Sequence, residues 1–503
     1  MKILLLYPQS PTTFWSFEHA LKFISKKASL PPLGLLTVGA MLPDSWEKRL
    51  VDMNVERLTD RDLLWADYVF ISAMSIQKKS VESILVRCKA LGIKTIGGGP
   101  LFTGLPEQFD AVDHLVLNEA EITLPLFLDD LKNGVLKHVY TSAQWADMCT
   151  TPLPRYDLAN MNKYASMNVQ YSRGCPFDCD FCNITVLYGR IPRTKAVKQL
   201  LAEFDLLYEL GWRSGVFIVD DNFIGNKAKL KRDVLPAIID WMKQKNYPFT
   251  LSTEVSINLA DDEELMRLMV QARFDAVFVG IESPNEESLA ECSKLQNRNR
   301  DLIKSVKKIQ QAGIEVQAGF IVGFDRDPAT IFERLTAFIQ ESGIVTAMVG
   351  LLNAPHGTKL YQRLEKEGRL ITAATGDNTD FSINFVPKMK KEHLIDGYRN
   401  ILRTIYAPKQ YYARIKKFLK DYKPEKTTTR FRLRTSHLMA VLKSMIRLGI
   451  LGKERFQYWK LLSWSMVRRP RLFPLAITFS IYGYHFRKVF RQHEKALQET
   501  PIH

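Results

Sequence analysis

The stretch RGCPFDCDFC, residues 173–182, decides the fold. It places Cys175, Cys179 and Cys182 in a C-x3-C-x2-C spacing, directly after NVQYS, residues 168–172, which is typical of a short strand. A cubane 4Fe–4S cluster has four irons, so three cysteine thiolates leave one iron free to bind another molecule. The spacing therefore predicts a 4Fe–4S cluster with one open coordination position, where chemistry can take place.

The other cysteines argue against a closed zinc site and against a disulfide framework. Cys88, Cys149 and Cys292 stand singly, without a paired cysteine or a nearby His. A structural zinc ion needs four protein ligands, so the three clustered thiols are one ligand short. Clustered thiols without disulfides also predict a reducing, cytoplasmic location. The N-terminal MKILLLYPQS agrees with this, because its apolar run is too short for a signal sequence.

Strand and helix patterns alternate around the cysteine motif. Segments such as KAVKQLLAEFDLLYELG separate short apolar runs, which indicates parallel strands covered by helices. The predicted strands are residues 168–172, 215–221, 249–255, 276–283, 315–324 and 346–355. Six such units are two short of a closed eight-stranded barrel. We therefore expect an α/β architecture with a six-stranded partial (β/α) barrel over residues 151–365, open on one side.

A separate alternation precedes the barrel and predicts a Rossmann-like, doubly wound domain over residues 1–150. Its Gly-rich turn GGGP, residues 97–100, follows a predicted strand at the end where doubly wound sheets bind ligands. A plain tight turn explains the same glycines equally well.

The excess of basic residues is confined to the end of the chain. The protein has 70 Lys and Arg against 54 Asp and Glu, and residues 411–503 hold 21 of the former and 5 of the latter. The rest of the chain is neutral, so only this tail is drawn to an anionic partner. The strand–helix alternation stops near residue 366, and we expect a mainly helical C-terminal domain over residues 366–503.

The tail also contains LFPLAITFSIYGYHF, residues 472–486, a run without Lys, Arg, Asp or Glu. A helix that spans a bilayer needs about 20 apolar residues, and this run is shorter and contains Pro474 and Gly483. It therefore predicts a buried helix or a segment lying in the membrane interface, rather than a span.

Several motifs together resemble a known enzyme family. The cysteine spacing, with Phe181 before the third cysteine, resembles the signature of radical S-adenosylmethionine (SAM) enzymes, and VFIVDDNFIGNK, GFIVGFD and AMVGLL extend the likeness. Over roughly residues 1–415 the chain is similar to cobalamin-domain radical SAM proteins with an extra C-terminal domain, the subfamily that includes bacteriohopanoid C-2 methylases. The resemblance implies three cofactors: a 4Fe–4S cluster, SAM and cobalamin. In such enzymes the cluster supplies the electron that cleaves SAM, and cobalamin delivers the methyl group to a carbon radical.

The resemblance also implies which residues bind these cofactors, although it identifies no residue that acts on the substrate. Cys175, Cys179 and Cys182 would hold the cluster. The implied cofactor-binding residues are Phe181, Asp220, Asp221, Asn222, Glu254, Glu282, Ser283 and Gly323 around the cluster and SAM, and Gly97, Gly98 and Gly99 toward cobalamin. Polar caps at strand ends, and glycines that allow close packing, would give the same sequence pattern.

The first domain departs from the usual cobalamin motif. The base-off sequence D-x-H-x-x-G is absent, and Asp113-His114 has the wrong spacing. Two interpretations remain: cobalamin bound without a His ligand, which the GGGP turn and the strand order favour, or a degenerate domain that binds none. Glu119 and Glu121 stand where relatives often have glycines, which predicts a reshaped edge of the corrin site.

The resulting functional prediction is a radical SAM, cobalamin-dependent C-methyltransferase that acts on an unactivated carbon of a hydrophobic, polycyclic lipid or isoprenoid-like substrate. Two alternatives stay open: the same cofactors performing cyclisation, rearrangement or oxidation, and modification of nucleic acid through the basic tail. The long apolar runs of the tail argue against nucleic acid and favour peripheral contact with the inner membrane. A reductant such as ferredoxin or flavodoxin completes the expected partners.

Overall fold

Two parallel six-stranded sheets organise the protein, whose computed structural model describes residues 1–424 and 435–499. The strands of the first sheet are β1 (Lys2–Tyr7), β2 (Glu47–Asp52), β3 (Tyr68–Ser72), β4 (Lys94–Gly98), β5 (His114–Val116) and β6 (Val139–Tyr140). The helices of the same part of the chain are α1 (Glu18–Leu21), α2 (Leu33–Met41), α3 (Asp60–Trp65), α4 (Lys78–Ala90), α5 (Pro100–Gly104) and α6 (Ala120–Asn133).

The first sheet is doubly wound, as predicted. Its order is β2-β1-β3-β4-β5-β6, so the direction of winding reverses between β1 and β3. Ligands of such sheets bind at this switch point, beyond the carboxyl ends of the strands. A ligand of this sheet is therefore expected at the carboxyl ends of β1 and β3.

The second sheet is the predicted partial barrel. It begins with β7 (Met167–Val169) and, after a hairpin of β8 (Ser172–Arg173) and β9 (Arg193–Thr194), continues through β10 (Gly215–Ile218), β11 (Thr250–Val255), β12 (Phe274–Glu282), β13 (Glu315–Val322) and β14 (Ala347–Leu351). Its six strands lie side by side in chain order and all run parallel. The helices of this region are α7 (Ile184–Tyr188), α8 (Val197–Glu209), α9 (Lys227–Lys229), α10 (Leu235–Gln244), α11 (Glu263–Gln271), α12 (Glu286–Glu291), α13 (Leu302–Ala312), α14 (Ile331–Ser342) and α15 (Lys359–Lys366).

The strand predicted at residues 168–172 is divided in two. β7 ends at Val169, and the chain then leaves the barrel sheet to pair antiparallel with β9. The Asp220 carboxylate fixes this departure, because it accepts hydrogen bonds from the Tyr171 backbone N–H (2.8 Å) and from the Ser172 hydroxyl (2.6 Å). The cysteine loop therefore follows a hairpin strand that stands apart from the barrel sheet.

The C-terminal region is helical in its described residues, as predicted. Its helices are α16 (Lys391–Tyr406), α17 (Pro408–Asp421), α18 (Thr435–Ser444), α19 (Arg455–Arg468) and α20 (Phe473–Glu499), and a π-helical turn (Met445–Ile450) continues α18. The predicted domain 366–503 also includes residues 425–434 and 500–503, which lie outside the described residues.

The run at residues 472–486 forms the first half of α20 and is a buried helix. Ala476, Phe479 and Phe486 are enclosed, and the Tyr411 hydroxyl donates a hydrogen bond to the Phe479 carbonyl (2.8 Å). Of the two structures expected for this run, the buried helix is the one that forms. No helix in residues 1–424 or 435–499 combines the length and apolar character needed to cross a membrane.

The segment between β1 and α2 leaves the first sheet and packs against the end of the chain. The Phe14 ring stacks on Phe486 of α20 with centroids 4.1 Å apart, and the His485 ring is hydrogen-bonded to the Phe14 carbonyl (2.9 Å). Residues 1–150 thus include a segment whose contacts lie in the C-terminal helices. The boundaries near residues 150 and 365 stay a prediction.

Candidate active site

The three clustered cysteines lie in the loop between β8 and α7. Burial, reinforced by the neighbouring thiols, raises the pKa of Cys182 to about 12, and burial also raises the pKa of Cys175 and Cys179. Within the ranges 1–424 and 435–499, no group of three or more His, Cys, Asp or Glu is arranged to hold a single metal ion. Three thiols sharing one pocket fit a cubane cluster, whose irons supply the positive charge that buried thiolates need.

Lys294 is a cation whose charge acts on all three thiols of this loop. Its ammonium lies 2.8 Å from Glu282 Oε1, and its charge opposes the effect of burial on the pKa of Cys179. Gly280 leaves room for the pair, since a Cβ at that position would lie 2.8 Å from Lys294 Nζ. Gln296 Nε2 lies 3.9 Å from Cys179 Sγ. The sequence analysis missed Lys294 and Gln296 because they are distant from the cysteines along the chain and belong to no motif.

The side chains of Glu282, the last residue of β12, and of Ser283, which follows it, point in different directions. Glu282 has a φ of 63°, at the point where the register between β12 and β13 shifts. A non-glycine residue rarely adopts this conformation, which costs about 1–3 kcal/mol. The bulge directs Glu282 toward Lys294, whereas the buried Ser283 hydroxyl accepts a hydrogen bond from the Asn285 N–H (3.2 Å). Glu282 thus faces the cysteine pocket and Ser283 caps the following loop.

Backbone N–H groups donate hydrogen bonds to the side chains of Asp220, Asp221 and Asn222. Asp221 accepts a hydrogen bond from the Gly174 N–H (2.8 Å), and Asn222 accepts one from the Ser256 N–H (3.2 Å). Burial raises the pKa of Asp220 to about 7 and that of Asp221 to about 6. Two of the three side chains therefore hold the start of the cysteine loop. Their direct contact with SAM stays a prediction.

Glu254 on β11 has no such backbone partner. In the described part of the chain no hydrogen bond or ion pair engages its carboxyl group, which lines the large cavity described below. Burial and, to a lesser degree, repulsion by Asp221 raise the pKa of Glu254 to about 8. Even partial burial of a carboxyl without a partner is costly, and a cationic ligand would relieve that cost.

Phe181, in the cysteine loop, contacts Phe324, the residue that follows Gly323. The rings of Phe181 and Phe324 are edge to face, with centroids 6.4 Å apart. Gly323 has a φ of 109°, and its N–H donates to Asp327 Oδ2 (2.8 Å). Phe181 lines the cavity, whereas the conformation of Gly323 serves this turn. Gly319 permits close packing, because a Cβ there would lie 2.9 Å from the Phe278 ring.

One cavity of about 1580 Å³ connects the cysteine pocket to both sheets. Cys182, Glu254 and Glu282 line it at the carboxyl ends of the barrel strands. Tyr7 and Met74, at the ends of β1 and β3, line it from the first sheet, so the switch point opens into the same space. Most of the remaining wall is apolar and includes Phe217, Phe278, Phe320, Ile321 and Met348.

The three glycines at the end of β4 are closely packed. A Cβ on Gly97 would lie 2.9 Å from the Phe102 ring, and one on Gly99 would lie 2.7 Å from the Ser72 hydroxyl. Gly99 also has a φ of 87°. These constraints explain Gly97, Gly98 and Gly99 as a tight turn between β4 and α5. Their contact with cobalamin stays a prediction.

Glu119 and Glu121 connect the first sheet to the cysteine hairpin. Arg173 lies 2.9 Å from Glu119 and 2.8 Å from Glu121, and Arg193 lies 2.9 Å from Glu119. The two carboxylates are almost fully enclosed. Buried ion pairs of this kind fix orientation, and here they align the first sheet with the loop that carries the cysteines. The sequence analysis, which assigned these glutamates to the corrin edge, did not foresee this contact.

Comparison with known proteins identifies the family. Residues 169–339 match the radical SAM superfamily, and residues 358–499 match a domain of unknown function (DUF4070). An uncharacterized methyltransferase of Synechocystis sp. is 42% identical over 98% of this chain and 93% of its own length. The hopanoid C-2 methylase of Rhodopseudomonas palustris is 33% identical over 93% of this chain and 90% of its own. The chain belongs to this family of radical SAM methyltransferases. The predicted family, with its cobalamin-type first domain and extra C-terminal domain, is thereby confirmed.

Solved structures of the wider superfamily share the fold. The cobalamin-dependent radical SAM enzyme OxsB, with aqua-cobalamin bound, superposes with a TM-score of 0.61 at 14% identity, over 99% of this chain and 81% of that one. The radical SAM methyltransferase TsrM of Kitasatospora setae, with cobalamin and a 4Fe–4S cluster bound, gives 0.58 at 12% identity over 99% of both chains. The family thus uses a 4Fe–4S cluster and SAM on a fold that also carries cobalamin.

Proposed function

We propose that this protein is a cobalamin-dependent radical SAM C-methyltransferase that acts on an unactivated carbon of a hydrophobic, polycyclic lipid or isoprenoid-like substrate. The observation that carries the proposal is the large, mostly apolar cavity that reaches Cys182. When bound, the cluster, SAM and cobalamin supply the reductive and methyl-transfer chemistry. The chain's own side chains bind, orient and shield the reactants.

Cys175, Cys179 and Cys182 hold the cluster in this proposal, and Glu254 receives the cationic part of SAM. Glu254 fits that role because it faces the cavity beside the cysteines and has no partner among the described residues. Asp220 and Asp221 act indirectly, by holding the backbone that precedes the first cysteine.

We place cobalamin beyond the carboxyl edge of the first sheet, where Tyr7 and Met74 line the cavity. His114 begins β5 and so lies at the amino edge of the first sheet, opposite the edge where cobalamin is placed. Together with the missing D-x-H-x-x-G sequence, this favours cobalamin bound without a protein His ligand.

The lipid character of the substrate rests on two observations. The walls between the cofactor end and the far end of the cavity are formed mainly by Phe, Ile, Met and Leu side chains, which favour an apolar ligand. A 33% identical relative is a hopanoid C-2 methylase.

Expression of this chain in a bacterium that makes only unmethylated polycyclic lipids tests the proposal. Mass spectrometry of extracted lipids should show a methylated species that is absent when Cys175, Cys179 and Cys182 are all replaced with Ala.

A surface on α18, its π-helical continuation and α19 favours contact with a membrane. Leu438, Leu442, Ile446 and Ile450 recur every four residues and are 45–68% exposed. Such spacing aligns side chains on one helix face. Further exposed apolar residues of this surface are Leu451, Phe456, Met466 and Val467. Exposed cations border it at Arg447, Lys453, Arg455, Lys460 and Arg468.

We propose that this surface, rather than the buried run at 472–486, rests on an anionic bilayer. Apolar side chains entering the interface and cations near anionic headgroups favour binding together. Contact of this kind would bring a lipid substrate to the enzyme without passage through water. Truncation at Tyr411 cannot test the idea, because Tyr411 is fully buried and packs against α20.

Replacing Leu442, Ile446 and Ile450 together with Gln should release the protein from vesicles of anionic phospholipid. The three side chains are exposed, so the fold should persist while the apolar contribution to binding is lost. Vesicle flotation at moderate salt measures the effect. The matched control replaces Leu64, Val86 and Val135, which are 60–70% exposed on the first domain. Equal flotation of both variants and the parent, or no flotation of the parent, would contradict the membrane proposal.

A further inference from the structure

A segment from the first domain closes the open side of the partial barrel. The barrel sheet begins with β7 and ends with β14, and the barrel is open between these two edge strands. Residues 14–31 run across this gap. Trp15 lies against β14, where its indole N–H donates a hydrogen bond to Met348 Sδ (2.9 Å). The other end of the segment meets β7, because the Asn168 side chain donates to the Pro31 carbonyl (3.1 Å).

The same segment forms part of the wall of the large cavity. Trp15, Phe17, Ser29 and Leu30 all line it. Trp15 has the largest of these side chains and is half-buried. Its indole therefore occupies space inside the barrel that a smaller residue would leave to a ligand.

The residues on either side of Trp15 are anchored in the C-terminal helices. Phe14 stacks on Phe486, as described above. The Phe17 ring lies against Tyr482, with centroids 4.9 Å apart. Phe17 also has a φ of 50°, a conformation that non-glycine residues rarely adopt. A tryptophan between two anchored residues is a rigid part of the wall.

Trp15 and Phe278 together make a continuous aromatic surface. Their rings are edge to face, with centroids 5.2 Å apart and an interplanar angle of 87°. Phe278 in turn packs over Gly319, where a Cβ would lie 2.9 Å from its ring. Phe278 precedes Glu282 by four residues on β12, which corresponds to roughly 13 Å along a strand. The aromatic surface therefore lies beside the middle of the cavity, between the cysteine pocket and the amino ends of the barrel strands.

We infer that Trp15 is a specificity-determining residue, which selects substrates with a rigid, fused-ring body over flexible isoprenoid chains. Trp15 and Phe278 present ring surfaces whose positions are set by packing. A fused-ring body lies against such a surface without being ordered first, whereas an acyclic chain loses conformational entropy when it binds. The inference rests on the proposed function, in which both kinds of substrate are candidates, and it names the polycyclic class.

Binding of two hydrocarbon probes to the reconstituted enzyme tests this inference. One probe is a pentacyclic triterpene hydrocarbon, and the other is an acyclic triterpene hydrocarbon of equal carbon number. Equilibrium dialysis in mild detergent gives the Kd of each probe. The parent should bind the pentacyclic probe about tenfold more tightly than the acyclic one, because the rigid probe keeps more of its contact energy.

Trp15→Ala should reduce this preference to about twofold, chiefly by weakening the binding of the pentacyclic probe. The flexible chain can fold into the freed space, whereas the rigid body cannot. Phe278→Leu leaves the segment unchanged and should shift the preference in the same direction, so the test does not depend on one variant. The matched control is Trp65→Ala, because Trp65 is half-buried on α3 and lies outside the cavity wall. This control should keep the preference of the parent.

Several results would overturn the inference. If Trp15→Ala and Phe278→Leu weaken both probes equally while bound iron stays at the parent's level, the two rings have only a structural role. An unchanged preference in both variants would also contradict a selective role. So would a parent that binds the two probes equally or prefers the acyclic one, and so would loss of the preference in Trp65→Ala.

The proposed function and the role of Trp15 can fail independently. A parent that prefers the pentacyclic probe in dialysis, yet methylates neither probe, would refute the proposed function and leave the selective wall standing. A parent that methylates both probes with equal kcat/KM and binds them with equal Kd would refute the role of Trp15 alone.

Discussion

Replacing Cys175, Cys179 and Cys182 together with Ala is expected to reduce bound iron from about four per chain to none. The same variant should lose all SAM cleavage. Cluster irons need thiolate ligands. The one other Cys near this loop is Cys292, which is buried at the C-terminal end of α12. Iron analysis and the visible spectrum of the anaerobically reconstituted protein measure the result.

The matched control replaces Cys88 and Cys149, which lie outside the loop. Cys88 is buried in the first domain and Cys149 is exposed, and their loss should leave the iron content unaltered. A cluster that persists in the triple variant would refute the cysteine assignment. Loss of iron in the control variant would show that cluster assembly depends on more than the loop.

Glu254→Gln is expected to weaken SAM binding about 10- to 100-fold while iron content stays intact. A hydrogen bond to a charged group is worth about 1.5–3 kcal/mol, and each 1.4 kcal/mol is a factor of ten in Kd. An arriving cation stabilises the ionised carboxylate, so the pKa of Glu254, which burial raises to about 8, falls when SAM binds. Glutamine keeps the size of the side chain and removes that charge.

Equilibrium binding of SAM to the reconstituted protein measures the change in Kd. Glu287→Gln is the control, because Glu287 is exposed on α12 and its charge lies outside the cavity. An unchanged Kd in the Glu254 variant would contradict the assignment. Glu282, the partner of Lys294, would then be the next candidate for binding SAM.

The sequence predicted the elements of this protein better than the orientation of their side chains. Runs such as EVQAGFIV form buried parallel strands because β-branched and aromatic residues suit a covered sheet, and β13 forms there. The thiol spacing likewise identified the loop that holds Cys175 and Cys179. Both signals depend only on residues that are close together along the chain, so they can be recognised in a single sequence.

Orientation depends on contacts between distant segments. Asp221 and Glu254 both lie at the carboxyl end of a barrel strand, yet one carboxylate binds the Gly174 N–H and the other is free in the cavity. The orientation of a third acid, Glu282, is set by the bulge at that residue and by its hydrogen bond with Lys294. No pattern in the sequence distinguishes these three acids.

The tail shows the same limit. The longest uncharged run, residues 472–486, is the stronger membrane signal in sequence, yet Phe14 and Tyr411 cover it. The exposed apolar face lies instead on α18 and its continuation, where Lys443, Ser444 and Arg447 interrupt short apolar runs. Which apolar residues reach the surface is decided by packing against the first 30 residues and α17.

The most direct test of the central claim follows the methyl group. Anaerobically reconstituted enzyme is given cobalamin, a reductant, a polycyclic lipid substrate and SAM labelled with deuterium in its methyl group. The account predicts a lipid product that carries one labelled methyl group on a previously unactivated carbon. Cleavage of SAM with an oxidised, cyclised or rearranged product that contains no label would contradict it.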